Sequence, residues 1–347
     1  PEAFRRDPVN LIRLFRLAGE HDLAIHPDAI QLVRRSLKLI TPEVREDAEA
    51  NREFLAILTS RRAPDMMLRL MNYAGVLGRF VPEFGRIVAM MQFNMYHHYT
   101  VDEHLIRAMG ILAEIDAGQL EAEHPLANAI LPTVANRRAL YLAVFLHDVA
   151  KGTPEDHSLA GARIARKLGP RLGLTDAETE TAAWLVDNHL VMSSIAQSRD
   201  LGDPRTIEAF ATTVQTLERL KLLLILTVAD IKAVGPGVWN GWKGELLRTL
   251  YYETELLLSG GHSGIERSAR VAKAQDLLAE RLADWSAAER EAYFARHYQA
   301  YWLKVEAARA ERQARFLREA EKAGRTTATA VQTDGFRGVT ELTILAP

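Results

Sequence analysis

The chain has 347 residues, 48% hydrophobic and 25% charged, with 43 Lys and Arg set against 45 Asp and Glu. That near-neutral balance offers nucleic acid no global positive field, and no apolar run reaches the roughly 18–20 residues of a membrane-spanning helix. Cysteine is absent, so disulfides and thiolate chemistry are excluded and any transition metal must be held by His and carboxylate side chains.

The opening residues Pro1 to Pro8 lack the charged-then-apolar order of a secretory signal, and a start at proline is expected of a piece cut from a longer, cytoplasmic protein. Leu11, Leu14, Phe15, Leu17 and Ala18 recur at helical spacing, and Pro27-Asp28 opens a second periodic stretch through Leu39. Thr41-Pro42-Glu43 reads as a helix start, with Thr at the cap and Pro in the first helical position. Gly78, Pro82 and the Gly110 region read as further helix punctuation. Residues 1–90 are therefore expected to form a helical connector.

Residues 91–285 are expected to form the catalytic domain, because most of the eleven histidines and the longest apolar helices fall there. Leu142 to Leu146 lead into His147-Asp148 at the end of an apolar helix, followed by Lys151. Upstream, Thr100-Val101-Asp102-Glu103-His104 opens a helix with His104 in its first turns. Downstream, the run Leu220 to Ala229 ends in Asp230. A carboxylate closing such an apolar helix requires a cation or several donors beside it, a salt bridge to Lys232 being one alternative. Gly235-Pro236-Gly237 and Ser259-Gly260-Gly261 mark loops.

Ala287 to Lys322 is expected to be one long helix, within the span 286–324, with His297, Tyr298, Tyr301 and Trp302 along it. After Gly324 the periodicity changes to two. Thr326–Val331 and Val339–Leu345 read as strands about an Asp334-Gly335 turn, so residues 325–347 form a short strand-bearing tail. The expected fold class is all-α, a helical bundle with that tail appended.

An early His, then His-Asp, then a late Asp, all on helices, resembles the HD superfamily of metal-dependent phosphohydrolases. Carried over by position, the resemblance implies His104, His147, Asp148 and Asp230 as metal ligands. In two-metal members further histidines lie between, and His157 and His189 occupy such places, with Asp148 bridging. The alternative for either is a donor to the leaving phosphate or a structural histidine. Divalent Mn²⁺ or Mg²⁺ is expected, one or two per site, with Fe, Co or Zn also compatible with N and O ligands.

Longer strings narrow the resemblance. Met90 to His104, Phe80-Val81-Pro82-Glu83-Phe84-Gly85-Arg86 and Gly235 to Lys243 resemble the bifunctional uridylyltransferase/uridylyl-removing enzymes that modify the PII nitrogen-signalling protein. The tail Asp334 to Leu342 resembles the opening of that family's first ACT domain. Residues 1–80 contain neither the Gly-Ser entry nor the paired aspartates of its transferase. The resemblance thus implies uridylyl removal from uridylylated PII, with glutamine regulation reserved for the full-length enzyme. Asp148 and Lys151 are expected to be catalytic, Lys151 by screening phosphate charge, as Lys243 and Arg107 could, with a solvated surface cation the alternative for each. His97 and His98 line the substrate entrance or pack, and Trp239 and Trp242 stack on uracil or anchor the loop. Hydrolysis of free nucleotides or alarmones, or a non-catalytic PII-binding scaffold with a structural metal, are the competing readings.

Overall fold

The computed structural model describes residues 2–91, 98–259, 264–305, 307–334 and 339–346. Among the described residues it is mainly helical, with one antiparallel hairpin near the C-terminus. Among the described residues no helix is long and apolar enough to cross a membrane. The chain packs as two compact units, residues 1–195 with 218–238, and residues 196–217 with 239–347.

In the first unit, packing runs straight across residue 90. Phe54 and Phe84 lie against Phe145 at ring-centroid distances of 5.8 and 5.2 Å, and Phe80 lies 5.2 Å from Phe54; all four are fully buried. Arg171 spans the same seam, with its guanidinium over the Phe80 ring and Nη2 donating to the Phe80 carbonyl. Gly110 does not interrupt a helix as expected. It lies inside Val101–Asp116, where the helix Pro64–Ala74 comes so close that a Cβ would sit 2.8 Å from Asp65 Cγ.

The helix Val101–Asp116 ends on a carboxylate, the wrong charge for its dipole, and the structure compensates it. Asp116 accepts from Arg137 Nε at 2.7 Å and Tyr141 Oη at 3.0 Å, with Arg61 Nε at 3.2 Å. Burial works to raise the Asp116 pKa, but Arg137, Arg61 and Tyr141 together hold it below the usual range. Arg61 is mostly exposed and adds little. Asp116→Asn is therefore expected to destabilise the unit by about 2 kcal/mol at pH 7. Because the folded pKa is depressed, this contribution is complete above the unfolded value of about 3.9 and is lost as pH falls through the folded one. Urea unfolding at pH 7 and pH 3 should show the gap between parent and variant closing in acid; an equal gap at both would contradict this assignment.

In the second unit the expected single helix over 287–322 is three: Ala287–Phe294, Gln299–Lys304 and Ala307–Lys322, with extended backbone at Tyr298 and Val305. The breaks let aromatic side chains meet instead of lining one stripe. His297 stacks on Tyr301 at 3.8 Å, Tyr293 and Phe294 meet Trp302 edge-on, and Trp285 packs against Tyr293. Leu278, Leu282, Ala310 and Ala314 complete this core.

The tail forms the expected hairpin, Ala328–Asp334 paired with Val339–Leu345, in the register Val331 to Leu342. Turn residues 335–338 lie outside the described residues. Exposure alternates over residues 328–331 and 340–345: Val331, Leu342 and Ile344 face outward, while Ala330, Thr343 and Leu345 face inward. Arg309 and Arg312 of the preceding helix reach Glu341 at 2.8 and 3.1 Å and anchor the inner face.

Candidate metal centre

Five helices bring their ends or flanks to one buried point. His104 sits in the first turn of Val101–Asp116. His147 caps the C-terminus of Arg137–Leu146, an almost wholly buried helix, and Asp148 follows in the next turn. His157 opens His157–Arg171, where Asp156 caps the helix by accepting from Ser158 and Leu159 N–H at 2.9 and 3.1 Å. Gly161 lets that helix close in: a Cβ there would meet Val186 Cγ1 at 2.8 Å. His189 follows the end of Asp176–Asp187, a helix started by a Thr175–Glu178 capping box. Asp230 projects from Leu217–Ala233, which is buried along nearly its whole length.

The six side chains form two groups sharing Asp148. Its Oδ2 faces His104 Nε2 at 3.6 Å and His147 Nε2 at 3.7 Å, and Asp230 Oδ1 faces the same two nitrogens at 3.1 and 3.5 Å. Its Oδ1 faces His157 Nε2 and His189 Nε2, both at 3.6 Å. The imidazoles run in a row, His104 to His147 to His189 to His157, with centroids 5.2, 5.2 and 5.4 Å apart. His104–His147–Asp148 and Asp148–His157–His189 are both compact enough to hold an ion. Lys232, the sequence alternative for Asp230, pairs instead with Glu123.

Backbone carbonyls set which nitrogen faces the centre. A carbonyl only accepts, so His147 Nδ1 donates to Val144 O at 2.9 Å and His189 Nδ1 donates to Val186 O at 2.7 Å. In the neutral rings the Nε2 lone pairs then point at carboxylate oxygens, which also carry only lone pairs. His104 and His147 bring Nε2 to within 3.1 Å of each other. Asp148 Oδ1 and His157 Nε2 are buried with no hydrogen-bond partner, a costly condition unless a cation lies between them. Ligands placed about 2.0–2.2 Å from one ion stand roughly 3.0–3.6 Å apart, close to the spacing here, so the donor set fits a divalent metal.

Electrostatics agrees with that fit. Burial alone would raise both carboxyls, yet His147, His189, Lys151 and His104 hold Asp148 far below the usual range, and His147 and His104 do the same for Asp230. Burial lowers the His157 pKa, and the neighbouring His189 and Lys151 oppose its protonation against the pull of Asp148. For His104 burial is outweighed by the hydrogen bond and charge of Asp230, and its pKa rises. Two ionised carboxylates facing four imidazoles suit a cation better than any neutral guest.

The remaining expected residues divide. Lys151 Nζ touches Asp148 Oδ2 at 2.6 Å. Arg107 lies over the Tyr99 ring at 4.3 Å. His98 is exposed, with its ring over Gly235 and its backbone N–H donating to the Val234 carbonyl. Trp239 and Lys243 belong to the second unit, where Trp239 packs beside Gly244 and the Lys243 N–H is capped by Asn240. His97 lies outside the described residues. Sequence reading missed Asp102, a buried carboxylate two residues before His104, which accepts from Asn72 at 2.8 Å. An acidic residue in a helix's first turn reads as a dipole partner, so nothing local marked it as buried.

Comparison with known families places two matches on this frame. Residues 1–80 match the family described as uridylyltransferase GlnD third domain, and residues 101–233 match the HD domain. The second match spans all six residues of the centre.

Proposed function

From a chain that joins a GlnD third domain to an HD domain, and so belongs to the GlnD-type enzymes with a metal-dependent phosphohydrolase unit, we propose removal of UMP from uridylylated PII. The bond cleaved is the phosphodiester between UMP and a tyrosine of that signal protein. The observation that carries the reading is Asp148, whose two oxygens each face a separate pair of imidazoles in a chain with a GlnD third domain.

His104, His147, Asp148 and Asp230 would hold one divalent ion, and Asp148, His157 and His189 a second; Mn²⁺ or Mg²⁺ fits this reading. When bound, such an ion would supply charge neutralisation at the non-bridging phosphate oxygens and a lowered pKa for the attacking water. The protein's own part is orientation. His104, His147, Asp148 and His189 are closed to solvent, while Asp230, Lys151 and His157 keep side-chain exposures of 15%, 22% and 26% and form the open side. Substrate phosphate must approach there. Lys151, steadied by Asp148, offers ammonium N–H donors to a phosphate oxygen at that rim. A tyrosyl oxygen leaves as a phenolate of pKa about 10, so the site needs no strong general acid.

The test is release of UMP from uridylylated PII by this chain with Mn²⁺ or Mg²⁺, with chelator, and after Mn²⁺ is restored. Release that chelator stops and Mn²⁺ recovers is expected. Hydrolysis of a bis-aryl phosphodiester without UMP release would overturn the substrate assignment. Inactivity on both with metal bound would leave a non-catalytic scaffold.

A further inference from the structure

The helix Val101–Asp116 carries His104 toward the centre, and its opposite side is held by the GlnD third-domain segment. Asp102 and His104 are two residues apart, about 200° around a helix, so they face opposite ways. Three residues of the helix Pro64–Ala74 meet that outer side. Asn72 Nδ2 donates to Asp102 Oδ2 at 2.8 Å, Arg69 grips Glu103 with Nη2 to Oε1 at 2.9 Å, and Asp65 lies against Gly110. Positions 65, 69 and 72 are spaced i, i+4, i+7, one face of a helix, and the pairing runs antiparallel.

These ties are unequal. Arg69 and Glu103 are both partly exposed, and a pair of that kind contributes little beyond register. Asp102 is 5% exposed, its Oδ1 has no partner, and Asn72 is the one hydrogen-bond donor to its carboxylate among the described residues. A buried carboxylate with a single donor depends strongly on it. Losing that donor drives Asp102 toward water, and the first turn of the helix must move with it. His104 Nε2, which stands 3.1 Å from both Asp230 Oδ1 and His147 Nε2, rides on that turn. Functional constellations tolerate displacements of only about 0.5 Å.

We infer that Asn72 and Asp102 are positioning residues for the metal centre, a latch through which the GlnD third domain sets the place of His104. The inference rests on reading the centre as metal-binding, and the experiment separates the two. Mn²⁺ affinity is measured by calorimetry on the whole chain, alongside the metal-free melting temperature and helical content, for the parent, N72A, N72D and N72D/D102N. N72A is expected to weaken Mn²⁺ binding about tenfold, the scale seen when supporting groups behind a metal ligand are removed. N72D sets two carboxylates against each other and should weaken it more. N72D/D102N reverses donor and acceptor, and should return affinity to within about threefold of the parent. Parental Mn²⁺ affinity in N72A, whatever its melting temperature, would overturn the latch, as would a double variant no better than N72D. A parent chain that binds no Mn²⁺ would instead overturn the reading of the centre itself.

Discussion

Asp148→Ala is expected to lower phosphodiester hydrolysis about 1,000-fold or more, equivalent to roughly 4 kcal/mol of transition-state stabilisation. Asp148 is the one residue common to both groups, so its loss removes an oxygen from each at once. It also frees Lys151 from the carboxylate that steadies it at the rim. His157→Ala leaves the His104–His147–Asp148 group whole and should cost less in both rate and metal content. The helical fold should persist in either variant, because the helices Arg137–Leu146 and Leu217–Ala233 are held by buried apolar side chains and not by the centre. Initial rates with saturating Mn²⁺, set beside metal content after dialysis and the far-ultraviolet dichroism spectrum, provide the check. A rate for Asp148→Ala within tenfold of the parent would remove Asp148 from the site.

The second large effect lies behind that motif. Phe145→Ala is expected to destabilise the first unit by about 3–5 kcal/mol, through lost burial and the cavity left between Phe54 and Phe84. For a unit of about 200 residues this lowers Tm by roughly 10 °C. The Phe84 and Phe145 rings are within 3° of parallel, so a smaller side chain cannot be covered by a slight rotation of its neighbour. Phe145 is two residues before His147, so the cavity also loosens the turn that presents the ligand pair. Calorimetric unfolding with and without Mn²⁺ measures both effects. A loss below about 1 kcal/mol would mean that the seam between residues 1–90 and the HD segment is not a true core.

Much of the chemistry was legible before any fold was known. The absence of Cys confined a metal to N and O ligands. The place of His104 in a helix's first turn and of His147-Asp148 and Asp230 where apolar runs stop could be read locally, and the resemblance to the HD superfamily implied them as ligands. These are short-range signals: helical period, caps, and a polar group where an apolar run stops. The hairpin was legible for the same reason, since alternation and a turn are written within a few residues.

What the sequence by itself determined, then, is which side chains this protein has available and on what kind of element each one stands. Tertiary structure decided how they meet. The tie of each Nδ1 of His147 and His189 to a carbonyl three residues back is local, but what their Nε2 atoms meet is set by packing. Only packing divides the two oxygens of Asp148 between two groups, and only packing gives Asp102 its donor from Asn72, 30 residues away. The same holds for residues 287–322, where helical period pointed to one continuous rod. The span breaks at Tyr298 and Val305, and His297 stacks on Tyr301 while Phe294 meets Trp302 edge-on. Periodicity reports which face of an element is apolar. Which partner covers that face is settled by the burial and hydrogen bonding of the whole unit, a sum no local window contains.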